Sequence, residues 1–209
     1  MGIICGDTDG PIADIPICDG NEALNQIQKL ILQKVFSSGS TKNTIADPTL
    51  LASWTPLLAA TDNTKVVQTP YINAPDSSAG EARTFGGGNQ TRNGITKIKG
   101  RNPSSFEGMF YEERQDTIEA LKKYQDKTGM GIWIVDENGD IGCLADDVAN
   151  PTTYYPIPIE ALFIGDKAFG NFEDVDSNMI SFELAPNWSD KFTVVRPSDF
   201  NALTDLATP

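Results

Sequence analysis

Histidine is absent from this chain of 209 residues. Its absence excludes Ser-His and Cys-His nucleophile pairs, imidazole general bases and histidine-ligated metals. An enzyme built from this sequence would have to use carboxylates, lysine or tyrosine, and the sequence pairs no nucleophile with a base. We therefore predict no catalytic residues and a non-enzymatic protein, with a carboxylate-dependent hydrolase as the remaining enzymatic alternative.

Cysteine is scarce, and long apolar runs are missing. The three cysteines, Cys5, Cys18 and Cys143, are widely spaced and form no CxxC pair, which argues against a disulfide framework and a zinc site. No run of about 18 apolar residues predicts a membrane span, and the start MGIICGDTDG lacks the pattern of a signal peptide. We expect no cofactor, no bound metal, no membrane contact and synthesis in a cytosol.

Positive charge is scarce and unevenly distributed, with 16 basic against 29 acidic side chains. Residues 1–105 hold nine acidic and nine basic side chains, whereas residues 106–209 hold twenty and seven. Within the neutral half, residues 83–101 (RTFGGGNQTRNGITKIKGR) contain five bases and no acid. The sequence thus predicts a basic loop on an acidic body, and such a body repels nucleic-acid phosphates and anionic membranes.

The apolar spacing predicts an α+β fold, a compact β body with two amphipathic helices. The first helix is predicted over residues 21–36 (NEALNQIQKLILQKVF). Its apolar side chains recur at helical spacing, at Leu24, Ile27, Ile31 and Val35. Ser104 and Glu107 have the spacing of a capping box, so the second helix begins there or a few residues later and ends before Thr128.

Strands and turns dominate the C-terminal part of the predicted fold. The predicted strands are GIWIV, IGCL, YYPIPIEALFIG, NMISFEL and KFTVV. In the third of these, Pro156 and Pro158 predict a sheet edge or an extension outside the sheet. Residues 1–20 are predicted as an extended arm and 21–209 as one assembly domain, with an irregular projecting region over about 37–105.

That projecting region has a turn signal of its own. Asn93-Gly94 is a strong signal for a two-residue hairpin turn, which predicts a long projecting β-hairpin or loop.

The DENGD stretch raises the question of a cation site. Asp136, Asn138 and Asp140 match the first three ligand positions of an EF-hand loop, but Ile141 stands where Gly is expected and Asp147 where Glu is expected. Apolar strands flank the stretch, and its Asn-Gly pair favours a type I′ turn. We interpret it as the turn of a hairpin rather than a metal site.

Irregular arms need a partner, because ordering each residue costs about 1–2 kcal/mol of backbone entropy. The basic loop of one copy is therefore predicted to contact the acidic second half of the next, and such head-to-tail contacts build rings or filaments. The candidate interface residues are the cations of the loop, Arg83, Arg92, Lys97, Lys99 and Arg101. Trp54, Trp133 and Trp188 are expected to anchor cores or interfaces rather than a sugar platform.

The region 131–206 contains the stretches IWIVDENGDIGCL and YYPIPIEALFIGDKAFGNFEDVDSNMISFELAPNWSDKFTVVRPSDFNALTDL. This region resembles bacteriophage virion structural proteins, in particular subunits of the tail tube or of neck and tail rings. The resemblance implies that the β body is an antiparallel β-sandwich or barrel. It also implies a homo-oligomer of hexameric rings, stacked around a channel through which DNA passes without specific binding. It also implies other tail or neck proteins as partners, and location in the virion tail after assembly in the host cytoplasm. The alternative is a capsid-decoration or receptor- or glycan-binding module of a virion.

Overall fold

The computed structural model describes residues 23–125 and 127–207. Within them the chain forms fourteen strands and two α-helices. In chain order these are β1 (Ile27–Lys34), β2 (Phe36–Ser38), β3 (Thr41–Lys42), α1 (Leu51–Ala59), β4 (Val66–Gln68), β5 (Asn73–Ser78), β6 (Ala82–Phe85), β7 (Lys97–Arg101), β8 (Ser104–Tyr111), α2 (Gln115–Lys122), β9 (Met130–Asp136), β10 (Ile141–Ala145), β11 (Tyr154–Tyr155), β12 (Ile157–Ile164), β13 (Ser177–Leu184) and β14 (Phe192–Val195). A mainly antiparallel β fold with two helices confirms the predicted α+β class.

Ten of these strands pair in one branched sheet, whose longest path runs β11-β10-β9-β12-β13-β8-β5. The branch lies at β9, which pairs along its whole length with β1 on one edge. On the other edge, Met130–Ile132 pair with β12, whereas Ile134 and Val135 pair with β10. The sheet therefore splits into two parts that share β9, which gives a sandwich-like arrangement. The described strands do not close into a barrel.

Two apolar cores lie on opposite faces of β1 and β9. The first core contains Leu30, Ile132 and Ile134 and extends along the inner faces of β8, β12 and β13 to α2. The second contains Ile31 and Trp133 and packs against α1 and the C-terminal segment. Because side chains alternate across a strand, β1 and β9 contribute to both cores and are covered on both faces.

The predicted helix over residues 21–36 is wrong, because Ile27–Lys34 form strand β1. This strand is buried on both faces, with Leu30 in one core and Ile31 in the other. A strand covered on both faces lacks the alternation of apolar and polar residues that marks a half-exposed strand. Its apolar residues then also match the spacing of an amphipathic helix, so local spacing does not distinguish a helix from a strand. Pairing with β9 makes this segment a strand.

The second predicted helix forms, but only from its later start. Ser104–Tyr111 are strand β8, so the capping-box interpretation of Ser104 is wrong, and α2 spans Gln115–Lys122. Ile118 and Leu121 face the core from this helix. On its exposed side, Glu119 and Lys123 form an i, i+4 ion pair at 3.9 Å.

All five predicted C-terminal strands are present, as β9, β10, β12, β13 and β14. The expectation that Pro156 and Pro158 place the third at a sheet edge is wrong, because β12 lies between β9 and β13. Pro158 is opposite Gly131 of β9, and pairing with β13 begins only at Ile159. Pro158 therefore lies where β12 has a neighbour on one side only, and its missing N–H is tolerated there.

The segment 37–105 contains more regular structure than its composition suggests. The apolar residues Leu51–Ala59 of this segment form helix α1, in which Trp54 is buried. Strands β4 and β5 of the same segment join the main sheet. The predicted arm over residues 1–20 lies outside the described residues.

Candidate assembly interface

The DENGD stretch is a turn between β9 and β10, as predicted. Asp136 is fully buried, and its carboxylate accepts hydrogen bonds from the backbone N–H groups of Asn25 (3.0 Å), Asn138 (2.9 Å) and Asp140 (2.9 Å). The turn is not type I′, because Asn138 lacks the positive φ that type I′ requires and only Gly139 has one, at 84°. The carboxylate thus satisfies backbone donors. Across the described residues, no cluster of three or more Cys, Asp or Glu could hold a metal ion.

Other acidic turns use their carboxylates in the same way. Asp146 accepts from the Thr152 N–H (2.9 Å) and hydroxyl (2.6 Å) and from the Thr153 N–H (3.0 Å). These hydrogen bonds hold the pKa of Asp146 well below its ordinary value. Burial raises the pKa of the Cys143 thiol well above its ordinary value, so the thiol stays protonated at neutral pH. Asp146 therefore stabilises a loop, and Cys143 fills the core.

Two of the three tryptophans are core residues. Trp54 and Trp133 are fully buried, with ring centroids 5.1 Å apart in an edge-to-face contact. The Trp133 ring N–H donates to the Gln33 side-chain oxygen at 3.0 Å. Trp188 is half-buried and packs edge-to-face on Phe192 at 5.5 Å. The expectation that the tryptophans anchor cores is confirmed for Trp54 and Trp133.

Strands β6 and β7 form a projecting hairpin that pairs with no other strand. The hairpin continues β5 and β8 beyond the end of the main sheet, and at its base the Asn102 N–H donates to the Glu81 carbonyl at 2.8 Å. No residue over 76–103 is buried. The predicted projecting hairpin is therefore confirmed, and no core of its own holds it.

The tip of the hairpin differs from the predicted two-residue turn. Residues 86–96 connect the strands through two short 3₁₀ turns. Asn93 and Gly94 have positive φ values of 64° and 67°, the backbone conformation that an Asn-Gly pair favours, but they lie within this longer loop. The Thr91 hydroxyl fastens the loop, accepting from the Gly87 N–H at 3.2 Å and donating to the Ile95 carbonyl at 2.6 Å.

Three of the five predicted interface cations share one face of the hairpin. In the strand register, Phe85 is opposite Lys97, and Arg83 lies two residues before Phe85 on the same face. Lys99 is the extra residue at the bulge, and its ammonium lies 4.3 Å from the centre of the Phe85 ring. Arg83, Phe85, Lys97 and Lys99 are all exposed, and we call them the basic face.

The other two predicted cations lie elsewhere on the hairpin. Arg92 is in the tip loop, and Arg101, at the base, donates to the side-chain oxygen of Asn187. In the described part of the chain, none of the five cations forms a salt bridge. Among residues 23–125 and 127–207, no carboxylate therefore lies within ion-pair distance of these positive charges.

The outer surface of β5, β8, β12 and β13 carries charge of the opposite sign. Each strand contributes one exposed carboxylate, from Asp76, Glu107, Glu160 and Glu183, and none of the four strands contains Lys or Arg. We call these residues the acidic face. The sequence indicated an acidic body, but only the strand register shows that these carboxylates share one surface.

Two phenylalanines are exposed on the loop between β12 and β13. Phe169 is 86% exposed and Phe172 is fully exposed. The loop is ordered by its own hydrogen bonds, since the Asn171 side-chain oxygen accepts from the Glu173 N–H at 2.8 Å and the Gly170 N–H donates to Asp176 at 2.9 Å. An ordered loop therefore presents these apolar rings to solvent.

Comparisons with known proteins add little to this geometry. No protein-family profile and no curated protein matches the chain. Among solved structures, a chain from the virion of a native gene transfer agent particle is similar at 15% identity and a TM-score of 0.34, covering 59% of this chain and 84% of that chain. A similarity this low carries no argument about fold or function. Among the described residues, neither helix is long and apolar enough to cross a membrane.

Proposed function

We propose that this protein is a non-enzymatic structural subunit of a virion that assembles with copies of itself, most specifically as a tail-tube protein whose rings stack around a DNA channel. The observation that carries the proposal is the β6–β7 hairpin, which has no buried residue and bears cations that form no salt bridge with any described residue. Exposed surface that has no contact partner within one copy is typical of a segment that a neighbouring copy covers on assembly.

The charge distribution supports the same proposal. A net charge of −13 leaves most of the surface negative while the projection is positive. Opposite charges on two different surfaces steer copies into a head-to-tail arrangement, the geometry of rings and filaments. The carboxylates left free in an assembled ring would repel DNA phosphates, so that DNA slides through a channel without binding.

Electron microscopy of the purified full chain tests the proposal. We expect stacked rings or tubes, and a monodisperse monomer over a wide concentration range would contradict it. Replacing Arg92, Lys97, Lys99 and Arg101 by Ser should weaken assembly and reduce its dependence on salt, since exposed charges are screened beyond about 10 Å at 0.1 M ionic strength. The matched control replaces four exposed lysines elsewhere, Lys42, Lys65, Lys123 and Lys127, and should assemble like the unaltered chain.

A capsid-decoration or receptor-binding module of a virion is the second candidate. The exposed rings of Phe169 and Phe172 favour it, because aromatic side chains presented on an ordered loop are typical anchors of a protein contact. A protein that remains a monomer alone but binds assembled virions would support this candidate over the tail tube.

A further inference from the structure

The carboxylates of the acidic face are arranged in two rows across paired strands. Glu160 of β12 is directly opposite Glu183 of β13, and Asp76 of β5 is directly opposite Glu107 of β8. The side chains of directly opposite residues begin about 4.5–5.5 Å apart, and like charges at that spacing repel. In the described part of the chain, none of the four forms a salt bridge. The two repelling pairs therefore have no salt-bridge partner among the described residues.

The basic face of the hairpin carries charge of the opposite sign around one aromatic ring. Lys97 and Phe85 are opposite each other, Arg83 is two residues along the strand from Phe85, and Lys99 lies over the Phe85 ring. Both faces are β surfaces, on which opposite residues lie about 5 Å apart and alternate residues of a strand about 7 Å apart. The three cations of the basic face are therefore spaced on the same scale as the four carboxylates of the acidic face.

Exposed aromatic rings accompany both charged faces. On the acidic face, Phe163 of β12 is opposite Ser181 of β13, which is in turn opposite Glu107 of β8. The Phe163 side chain is about half exposed. On the basic face, Phe85 is exposed to a similar degree. Contact between the two faces would remove both rings from water along with the charges.

The hairpin leaves the acidic face of its own chain exposed. The chain passes from β5 into β6 and from β7 into β8, so the hairpin extends the strands past the end of the sheet. At this junction the Gly80 N–H donates to the Ser104 hydroxyl at 3.2 Å, and the backbone of Asn102 leaves no room for a side chain at Gly80. The junction is closely packed, and among the described residues no cation of the hairpin forms a salt bridge with a carboxylate of the acidic face.

We infer that the acidic face of one copy binds the basic face of the β6–β7 hairpin of a second copy. The inference rests on the proposed function and names its contact surfaces. Because the two surfaces differ, the contact is head-to-tail and leaves one free hairpin and one free acidic face at the ends of any open chain of copies.

Charge reversal on the full chain tests the inference. The hairpin variant is R83E, K97E and K99E, and the face variant is E107K, E160K and E183K. All six side chains are exposed, so both variants should fold and show the melting temperature of the unaltered chain. By sedimentation, each variant alone should assemble at least about tenfold more weakly, as expected from the loss of one or more interfacial charge pairs.

Restoration is the decisive result. An equimolar mixture of the two variants should recover assembly, and so should one chain that carries all six reversals. The matched control is E119K, E137K and E173K, which changes the net charge by the same amount as the face variant at exposed positions elsewhere and should not weaken assembly.

Two failures can be told apart. Rings or tubes that tolerate both reversals, or that neither the mixture nor the six-fold variant restores, would overturn the inference and leave the proposed function standing. An unaltered chain that never assembles would overturn both.

Discussion

Replacing Asp136 by Ala tests whether the DENGD turn is held by its own carboxylate. The side chain is fully buried, and its two oxygens accept three backbone hydrogen bonds of 2.9–3.0 Å, from the N–H groups of Asn25, Asn138 and Asp140. Alanine leaves all three donors without this partner. At about 1 kcal/mol for each net hydrogen bond, the free energy of unfolding should fall by about 3 kcal/mol.

Asp136→Asn is the matched variant, because it keeps the shape of the side chain. Its carboxamide retains one acceptor oxygen and brings an NH₂ group toward a backbone donor, so about half of the loss is expected, 1–2 kcal/mol. The order of stability should therefore be Asp, then Asn, then Ala at position 136.

Urea unfolding followed by tryptophan fluorescence measures the change, since Trp133 lies on β9 and is buried beside Trp54. The titrations are run with calcium and with EDTA, and the differences among the three proteins should be the same in both. The turn interpretation would be refuted by a loss below about 1 kcal/mol in Asp136→Ala, where three hydrogen bonds should be missing. A calcium-dependent rise in melting temperature that Asp136→Ala abolishes would likewise refute it, because ligand binding stabilises the folded state.

Two further predictions concern a loop carboxylate and an exposed apolar pair. The pKa of Asp146 is lowered from 3.8 in the folded protein by hydrogen bonds from Thr152 and Thr153, so its contribution is present above that pH and is lost as the pH falls through the folded value. Asp146→Asn should therefore lower the melting temperature at neutral pH, with a difference that shrinks in acid. Replacing Phe169 and Phe172 by Ser should leave the melting temperature unchanged, and in a capsid-decoration module it should weaken binding to assembled virions, as thermal unfolding and co-sedimentation would measure.

Each of these has a clear contrary outcome. A constant difference between Asp146→Asn and the unaltered chain from neutral pH down to pH 2 would show that the carboxylate is not the group that stabilises the loop. A fall of several degrees in the double Phe variant would show that the rings pack within the fold.

Local sequence was sufficient to predict those strands, turns and loops whose defining residues all lie within one segment of the chain. The strand around Ile132 is an apolar run, the strand around Ile180 alternates between more and less buried residues, and DENGD combines a helix-breaking Gly with flanking strands. The projecting hairpin follows from residues too polar and too rich in glycine to be buried, and its five bases without an acid are visible in the sequence itself. These properties need no knowledge of distant contacts, because each depends on residues that are neighbours in the chain.

Tertiary structure decided what depends on residues far apart in the chain. Ile27–Lys34 become a strand because β9, about a hundred residues later, pairs with them, and because apolar cores cover both faces of the paired strands. Pro158 is accepted inside the sheet because β13 stops one residue short of it. The acidic face exists only because the register places single carboxylates of four separate strands on one surface. Strand pairing is non-local, so no periodicity within one segment can specify which charges become neighbours.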